Sequence, residues 1–177
     1  MTQRMLAYNS NRIEGSTLTQ KLIKAYHFRL KSGVFEDTAN GYPVGEYKKR
    51  RTIVPDIETA LPEEVSGHME DLLQKYNQIS VCSLFDLAQF HADFERIHPF
   101  QDGNGRVGRM ILFKECLKNR IIPFVIDDQN KAEYYHALNT AQNQGGLNLL
   151  VSLFESEQEK YEKTVQDFVL PSYLDNH

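Results

Sequence analysis

Residues 98–109 read HPFQDGNGRVGR: three glycines, two arginines, one aspartate and one histidine, with few core-forming side chains. The stretch lies between two apolar helical patterns. Asn104 and Gly105 therefore fall near the start of a helix, where backbone N–H groups lack intrahelical partners and the dipole places partial positive charge. Glycines remove side chains and let an anion approach that backbone. Arg106 and Arg109 fall on the same side of the new helix, completing a polyphosphate cradle. Asp102 can hold a divalent cation, and Mg2+ is the ion that accompanies nucleotide phosphates. His98, at the far lip, is the nearby side chain able to take a proton at neutral pH. The chemistry these residues suit is phosphoryl or nucleotidyl transfer: phosphates held by backbone and arginine, charge offset by metal, and a base for the incoming hydroxyl. No GK[ST] is present and no strand precedes the stretch, so it is not a Walker loop. The plain alternative is a glycine-rich turn between helices.

The elements that must position this loop are helical. STLTQKLIKAYHFRLKSG carries Leu18, Leu22, Ala25, Tyr26 and Leu30 at helical spacing, with Thr17 or Ser16 able to cap its start and Gly33 its end. Pro62 opens a second helix with Glu63 and Glu64 in its first turn and Val65, Met69, Leu72, Leu73 and Tyr76 on its apolar face. A third, over about 83–97, aligns Leu84, Leu87, Ala88, His91, Phe94 and Ile97, and Pro99 ends it. Val107, Met110, Ile111 and 113–117 resume the period after the loop. Two further helices are expected in KAEYYHALNTAQNQ, closed by Gly145 and Gly146, and in NLLVSLFESEQEKYEKTVQDFV. Between the first two helices, 32–62 is rich in turn residues, with a short extended piece at 51–54, and reads as a hairpin or irregular flap. The expected fold class is an all-α bundle with a small β-hairpin flap.

Composition narrows the partners. A length of 177 residues favours one domain. The net charge of -4 argues against a general nucleic-acid partner. No run of eighteen apolar residues suggests a membrane span, and the N-terminal stretch has no apolar region of the secretory type. Cys82 and Cys116 lack CxxC spacing, which fits reduced core thiols and a cytoplasmic location. The run 48–51, KKRR, reads either as a solvated edge or as a contact for an acidic target or phosphate.

The loop resembles the signature of the Fic family, H-x-F-x-[D/E]-G-N-G-R-x-x-R, through His98, Phe100, Asp102, Gly103, Asn104, Gly105, Arg106 and Arg109. At about 5% usage per residue type, eight fixed positions match by chance on the order of 10^-10 per window. The resemblance covers most of the chain and implies a Fic-type helical bundle acting as a protein adenylyltransferase. Such an enzyme moves AMP from ATP to a Ser, Thr or Tyr hydroxyl of a target protein, with Mg2+ as cofactor and pyrophosphate as the second product. It implies that His98 is the base, that Asp102 coordinates Mg2+, and that Asn104 with the backbone of Gly103 and Gly105 holds the α-phosphate. Arg106 then grips the phosphate chain and Arg109 binds the γ-phosphate, with Val107 and Gly108 completing the nucleotide-binding stretch and Phe100 packing the loop's root. Glycine at 105 favours AMP transfer over the phosphate transfer of a relative with lysine there. By the same resemblance Val54, Pro55, Asp56 and Ile57 form the flap that docks the target by main-chain pairing, although Pro55 removes a donor. Tyr134, Tyr135 and Gln142 match the segment lining the adenine pocket, and a homodimer is implied.

Residues 10–15, SNRIEG, match the family's inhibitory pattern [S/T]-x-x-x-E-[G/N] through Ser10, Glu14 and Gly15. On a helix Ser10 and Glu14 share a face. The resemblance makes residues 1–16 an inhibitory helix ahead of a core domain over 17–170 and a tail over 171–177, with Glu14 pairing to Arg109 in place of the γ-phosphate. Two other readings use the same site: a de-AMPylase in which Glu14 orients a water, and a non-catalytic nucleotide-binding regulator.

Overall fold

A computed structural model of the chain describes residues 17–169. The motif of Ser10, Glu14 and Gly15 and the tail over 171–177 lie outside the described residues.

Helix α1, Gln20–Lys31, starts two to three residues later than Thr17 or Ser16 suggested. Its cap is Thr19, whose hydroxyl accepts the Leu22 N–H at 3.2 Å. Three residues at intervals of four, Ile23, His27 and Lys31, form its buried stripe, so two polar side chains face the interior. Gly33 turns the chain at φ +83°, and a short helix not expected from the sequence, α2 (Phe35–Asn40), follows.

Helix α3 covers Val65–Asn77; residues 62–64 form a turn ahead of it, so Pro62 sits before the helix rather than opening it. It buries the predicted face of Val65, Met69, Leu72, Leu73 and Tyr76. Helix α4, Leu84–Ile97, opens on a capping box in which Ser83 and Asp86 satisfy each other's backbone N–H. Buried residues occur almost all round it, which makes it the central helix, packed against every later helix and α3. Helix α5 spans Asn104–Lys118, and after a 3-10 turn at Asp128–Asn130 come α6 (Lys131–Gln144) and α7 (Asn148–Val169), separated by Gly145 in the left-handed region. Phe94, Phe100, Ile111, Leu150 and Phe154 are wholly or almost wholly removed from solvent at the centre. Burying one such side chain contributes about 1.5–3 kcal/mol.

The flap forms no β-hairpin. Among the described residues its pairing amounts to one isolated antiparallel bridge, Val54 to Ile57, with the Ile57 N–H donating to the Val54 carbonyl at 3.2 Å. Pro55 supplies no N–H for a second rung, and Asp56, at φ +61°, turns the chain back at once. The flap is instead held by side chains, among them Asn143 Nδ2, which donates to the Asp56 carbonyl at 3.1 Å. The basic run is also not a uniformly solvated edge. Lys48 is buried, with its ammonium donating to Thr52 Oγ1 at 3.0 Å and reaching Thr59 Oγ1 and the Ile97 carbonyl at 3.4 Å. Its backbone N–H donates to the Pro99 carbonyl at 2.9 Å, so the flap is anchored to the root of the glycine loop.

Candidate active site

His98 caps α4 in the left-handed region, at φ 52° and ψ 61°, with its N–H donating to the Phe94 carbonyl at 3.0 Å. A non-glycine residue takes this conformation at a cost, and here it swings the imidazole out of the helix line. Nδ1 lies 3.4 Å from the Glu95 carbonyl. A carbonyl can accept but not donate, so Nδ1 carries the proton and Nε2 is left as the basic nitrogen. Burial and, less strongly, the Lys48 ammonium push the His98 pKa down, against the Glu95 carbonyl and the Asp102 carboxylate. The imidazole is thereby neutral and able to accept a proton near pH 7.

The loop is built from within. Phe100 is fully buried and stacks on the His27 ring at 3.9 Å between centroids and 5° between planes. Asn104 is buried, and its carboxamide closes on Phe100: Oδ1 accepts the Phe100 N–H at 2.7 Å and Nδ2 donates to the Phe100 carbonyl at 2.9 Å. The side chain expected to hold a phosphate is thus spent on the shape of the loop. Gly103, at φ +83°, makes the reversal into α5. No side chain caps α5, so the N–H groups at its first turn face the loop without a competing acceptor from a cap.

Two residues far away in sequence hold Asp102. The Gly45 N–H donates to His27 Nδ1 at 2.9 Å, which places the ring proton on Nε2, 3.1 Å from the Asp102 carbonyl that accepts it. Lys31 Nζ binds Asp102 Oδ2, and Arg106 Nη2 reaches the same oxygen at 3.1 Å. Burial opposes ionisation of Asp102, but the Lys31 hydrogen bond and the charges of Lys31 and Arg106 outweigh it and hold the carboxyl below its ordinary range. Sequence reasoning missed both His27 and Lys31. Their signal was two polar residues on the buried stripe of α1, each four positions after the last.

Arg109 is half-buried, and its guanidinium folds back over the start of α5, where a Cβ on Gly105 would lie 3.1 Å from Nη1. It also lies 5.9 Å from the Tyr134 ring centroid. No ion pair to Arg109 forms among the described residues. Behind it, Gly108 lets α4 and α5 touch: a methyl there would run into Glu95 Oε1 and sit 3.2 Å from His91 Cε1 and Phe94 Cδ1. Val107 is fully buried beneath the loop.

Of the expected adenine-pocket residues, Tyr134 is buried, its hydroxyl 2.8 Å from His91 Nε2. Burial drives the pKa of His91 down to about 3, so His91 is neutral and the pair is an uncharged hydrogen bond. Tyr135 is 52% exposed. Gln142 Nε2 donates to the Ala92 carbonyl at 3.1 Å, tying α6 to α4. The flap residues Val54, Pro55, Asp56 and Ile57 stay together at the bridge. Among the described residues no group of three or more His, Cys, Asp or Glu side chains is arranged around a metal. One carboxylate, Asp102, faces the helix start. That suits Mg2+, which keeps several waters and takes much of its coordination from substrate phosphates.

Over the described residues these features define a predominantly helical domain that presents a neutral imidazole and an uncapped helix start on one buttressed loop. Residues 17–115 match the sequence profile of the Fic/DOC family. The chain is 28% identical over 155 residues to the protein adenylyltransferase Fic of Drosophila willistoni, covering 86% of this chain and 30% of that protein. It is 29% identical over 113 residues to protein adenylyltransferase fic-1 of Caenorhabditis elegans, covering 61% and 22%. It thus spans under a third of the length of these curated relatives. In fold it is similar to Fic-1 (residues 134–508) from C. elegans, with a TM-score of 0.72 at 24% identity over 88% of this chain and 45% of that one. It is also similar to a Fic domain containing signaling protein from Bacteroides thetaiotaomicron, with a TM-score of 0.68 at 24% identity over 81% and 56%. The chain belongs to the Fic/DOC family.

Proposed function

We propose that the chain is a protein adenylyltransferase that uses ATP to place AMP on a Ser, Thr or Tyr hydroxyl of a target protein. The observation that carries the reading is the basic Nε2 of His98 on the same rigid loop as the uncapped start of α5. The similarity to proteins named adenylyltransferases supports it. The target hydroxyl oxygen attacks the α-phosphorus while its proton passes to His98 Nε2. The bond from that phosphorus to the oxygen bridging to the β-phosphate breaks, and pyrophosphate leaves. The N–H groups of the first turn of α5 bind the α-phosphate oxygens as charge builds on them. Arg106, half exposed, can leave Asp102 for the phosphate chain, and Arg109 stands one turn further on for the γ-phosphate. Asp102 would hold Mg2+, which supplies charge neutralisation along the polyphosphate. Asn104 acts through the loop's shape. The flap offers the backbone on either side of the Val54–Ile57 bridge for the target segment, and Tyr135, with its exposed ring, is the better placed of the two tyrosines to meet a base.

His98→Ala should abolish transfer of label from [α-32P]ATP to protein while leaving nucleotide affinity within about threefold of wild type, a change under 1 kcal/mol. Transfer that survives this change refutes the role of His98. Glu14 is proposed to restrain the site by pairing with Arg109. The half-buried guanidinium of Arg109 is the cation available for that pairing, and the match of Ser10, Glu14 and Gly15 to the family's inhibitory pattern supports it. Glu14→Gly should raise label transfer, self-modification included; unchanged transfer ends this assignment.

A further inference from the structure

Lys31 is the last residue of α1 and is only 4% exposed. Burying an ammonium is unfavourable unless its charge is met. Here two carboxylates from two other elements meet it. Asp37 of α2, itself buried, places Oδ2 at 2.8 Å from Nζ, and Asp102 of the loop places its Oδ2 on the same nitrogen. Lys31 thus links a buried carboxylate to the exposed one at the site. The Lys31–Asp37 pair is sealed, with side chains 5% and 4% exposed, whereas the Asp102 side chain is 47% exposed.

The two cations on Asp102 Oδ2 are not alike. Arg106 approaches from the solvent side, 50% exposed and four residues along the same chain segment. It can swing away when phosphates arrive. Lys31 cannot, because Asp37 holds it within the protein, and its Cδ lies 3.4 Å from where a Cβ on Gly103 would be. A nucleotide therefore finds Asp102 already sharing one oxygen with a fixed positive charge.

Resting on the nucleotide-transfer reading above, we propose that Lys31 is a permanent counter-cation of the loop. It positions Asp102 and, balanced by Asp37, sets how strongly that carboxylate takes the divalent cation that arrives with ATP. Lys31 is a positioning residue, acting through Asp102 without touching nucleotide. The sign of each perturbation follows from Coulomb's law. Without Asp37 the Lys31 charge is uncompensated and repels a divalent cation at Asp102. Without Lys31 that repulsion is gone.

The test is isothermal titration of a non-hydrolysable ATP analogue into the full chain at a series of Mg2+ concentrations, read as the Mg2+ concentration giving half-maximal nucleotide binding. Asp37→Asn keeps an acceptor for Nζ and should raise this midpoint by about three- to tenfold, and Lys31→Met should lower it by a similar factor, the scale of an interaction between neighbouring charges in a partly screened site. Loss of a merely structural contact would move both variants the same way. Opposite shifts support the proposal; shifts of the same sign, or none, overturn it. If Lys31→Met does not fold by thermal melting, Asp37→Asn decides alone: a raised midpoint supports the proposal and an unchanged or lowered one overturns it. If the wild type binds no nucleotide at any Mg2+ concentration, the transfer reading fails and this proposal with it. If it binds with equal midpoints throughout, this proposal alone fails.

Discussion

Glu95 carries the sharpest quantitative prediction. It sits on α4 one turn before His98, is 7% exposed, and its Oε1 has no hydrogen-bond partner. Burial pushes its pKa from 4.5 up to about 7, against the pull of the Arg109 charge. The unfolded chain releases this proton near pH 4.5, whereas the folded chain keeps it until about pH 7. Between these values the folded state binds more protons, so stability falls as pH rises through that window. A displacement of that size corresponds to about 3 kcal/mol at about 1.4 kcal/mol per unit. Glu95→Gln mimics the protonated acid and cannot ionise. The variant should match wild type at pH 4.5 and exceed it by up to about 3 kcal/mol at pH 8. Guanidinium unfolding of both proteins at several pH values between these limits measures the difference, and comparison of the pair cancels every other titrating group. A difference that does not change with pH, or a variant weaker than wild type at pH 8, would refute the reasoning, because it would mean that the ionised carboxylate is stabilised in place.

Two further substitutions probe the loop's construction. Gly108→Ala gains about 1 kcal/mol of helix propensity, but its methyl meets Glu95, His91 and Phe94. It should destabilise by about 1–3 kcal/mol on denaturant unfolding, and a stabilised variant would show that α4 and α5 can part without penalty. Asn104→Ala strips partners from the Phe100 N–H and carbonyl, at about 1–3 kcal/mol for each buried group left unmatched. Hydrogen exchange at the Phe100 amide should speed up before global unfolding does, and unchanged exchange would show that the carboxamide does not hold the loop.

The loop was legible because its parts are contiguous: a helix end, a left-handed turn and a helix start follow one another in twelve residues, and each leaves a local mark. The central helices were legible for the same reason, through the apolar stripe of α4 that Pro99 closes and Gly145 at the end of α6. What was not legible depends on contacts across the fold. His27 and Lys31 look like ordinary polar residues of an amphipathic helix until α5 and the loop are laid against them. Lys48 looks solvated beside Lys49, Arg50 and Arg51. Its burial follows from the Ile97 carbonyl, freed at the end of α4, and from two threonines that the flap brings together. The flap's failure to pair was foreshadowed at Pro55, but the positive φ of Asp56 that closes the turn could not be read from its residue type alone.

The division of labour in the loop follows from which groups are already committed. Asn104, Phe100 and the carbonyl of Asp102 are satisfied inside the protein, by the loop itself and by His27. Their exchange would change shape before it changed chemistry. On the proposed function, His98 Nε2, the first-turn N–H groups of α5, Arg109 and, once it leaves Asp102, Arg106 are the groups that meet the substrate. Lys48 links the two sets: burial lowers its pKa to about 8, yet near neutral pH it still carries the charge that helps keep His98 unprotonated. Its anchor on the Ile97 carbonyl is one residue from that base. The flap and the base are therefore coupled by a single ammonium. On the proposed function, a target segment that shifts the flap at Thr52 or Thr59 would move the Lys48 charge that lowers the His98 pKa, and so tune its basicity.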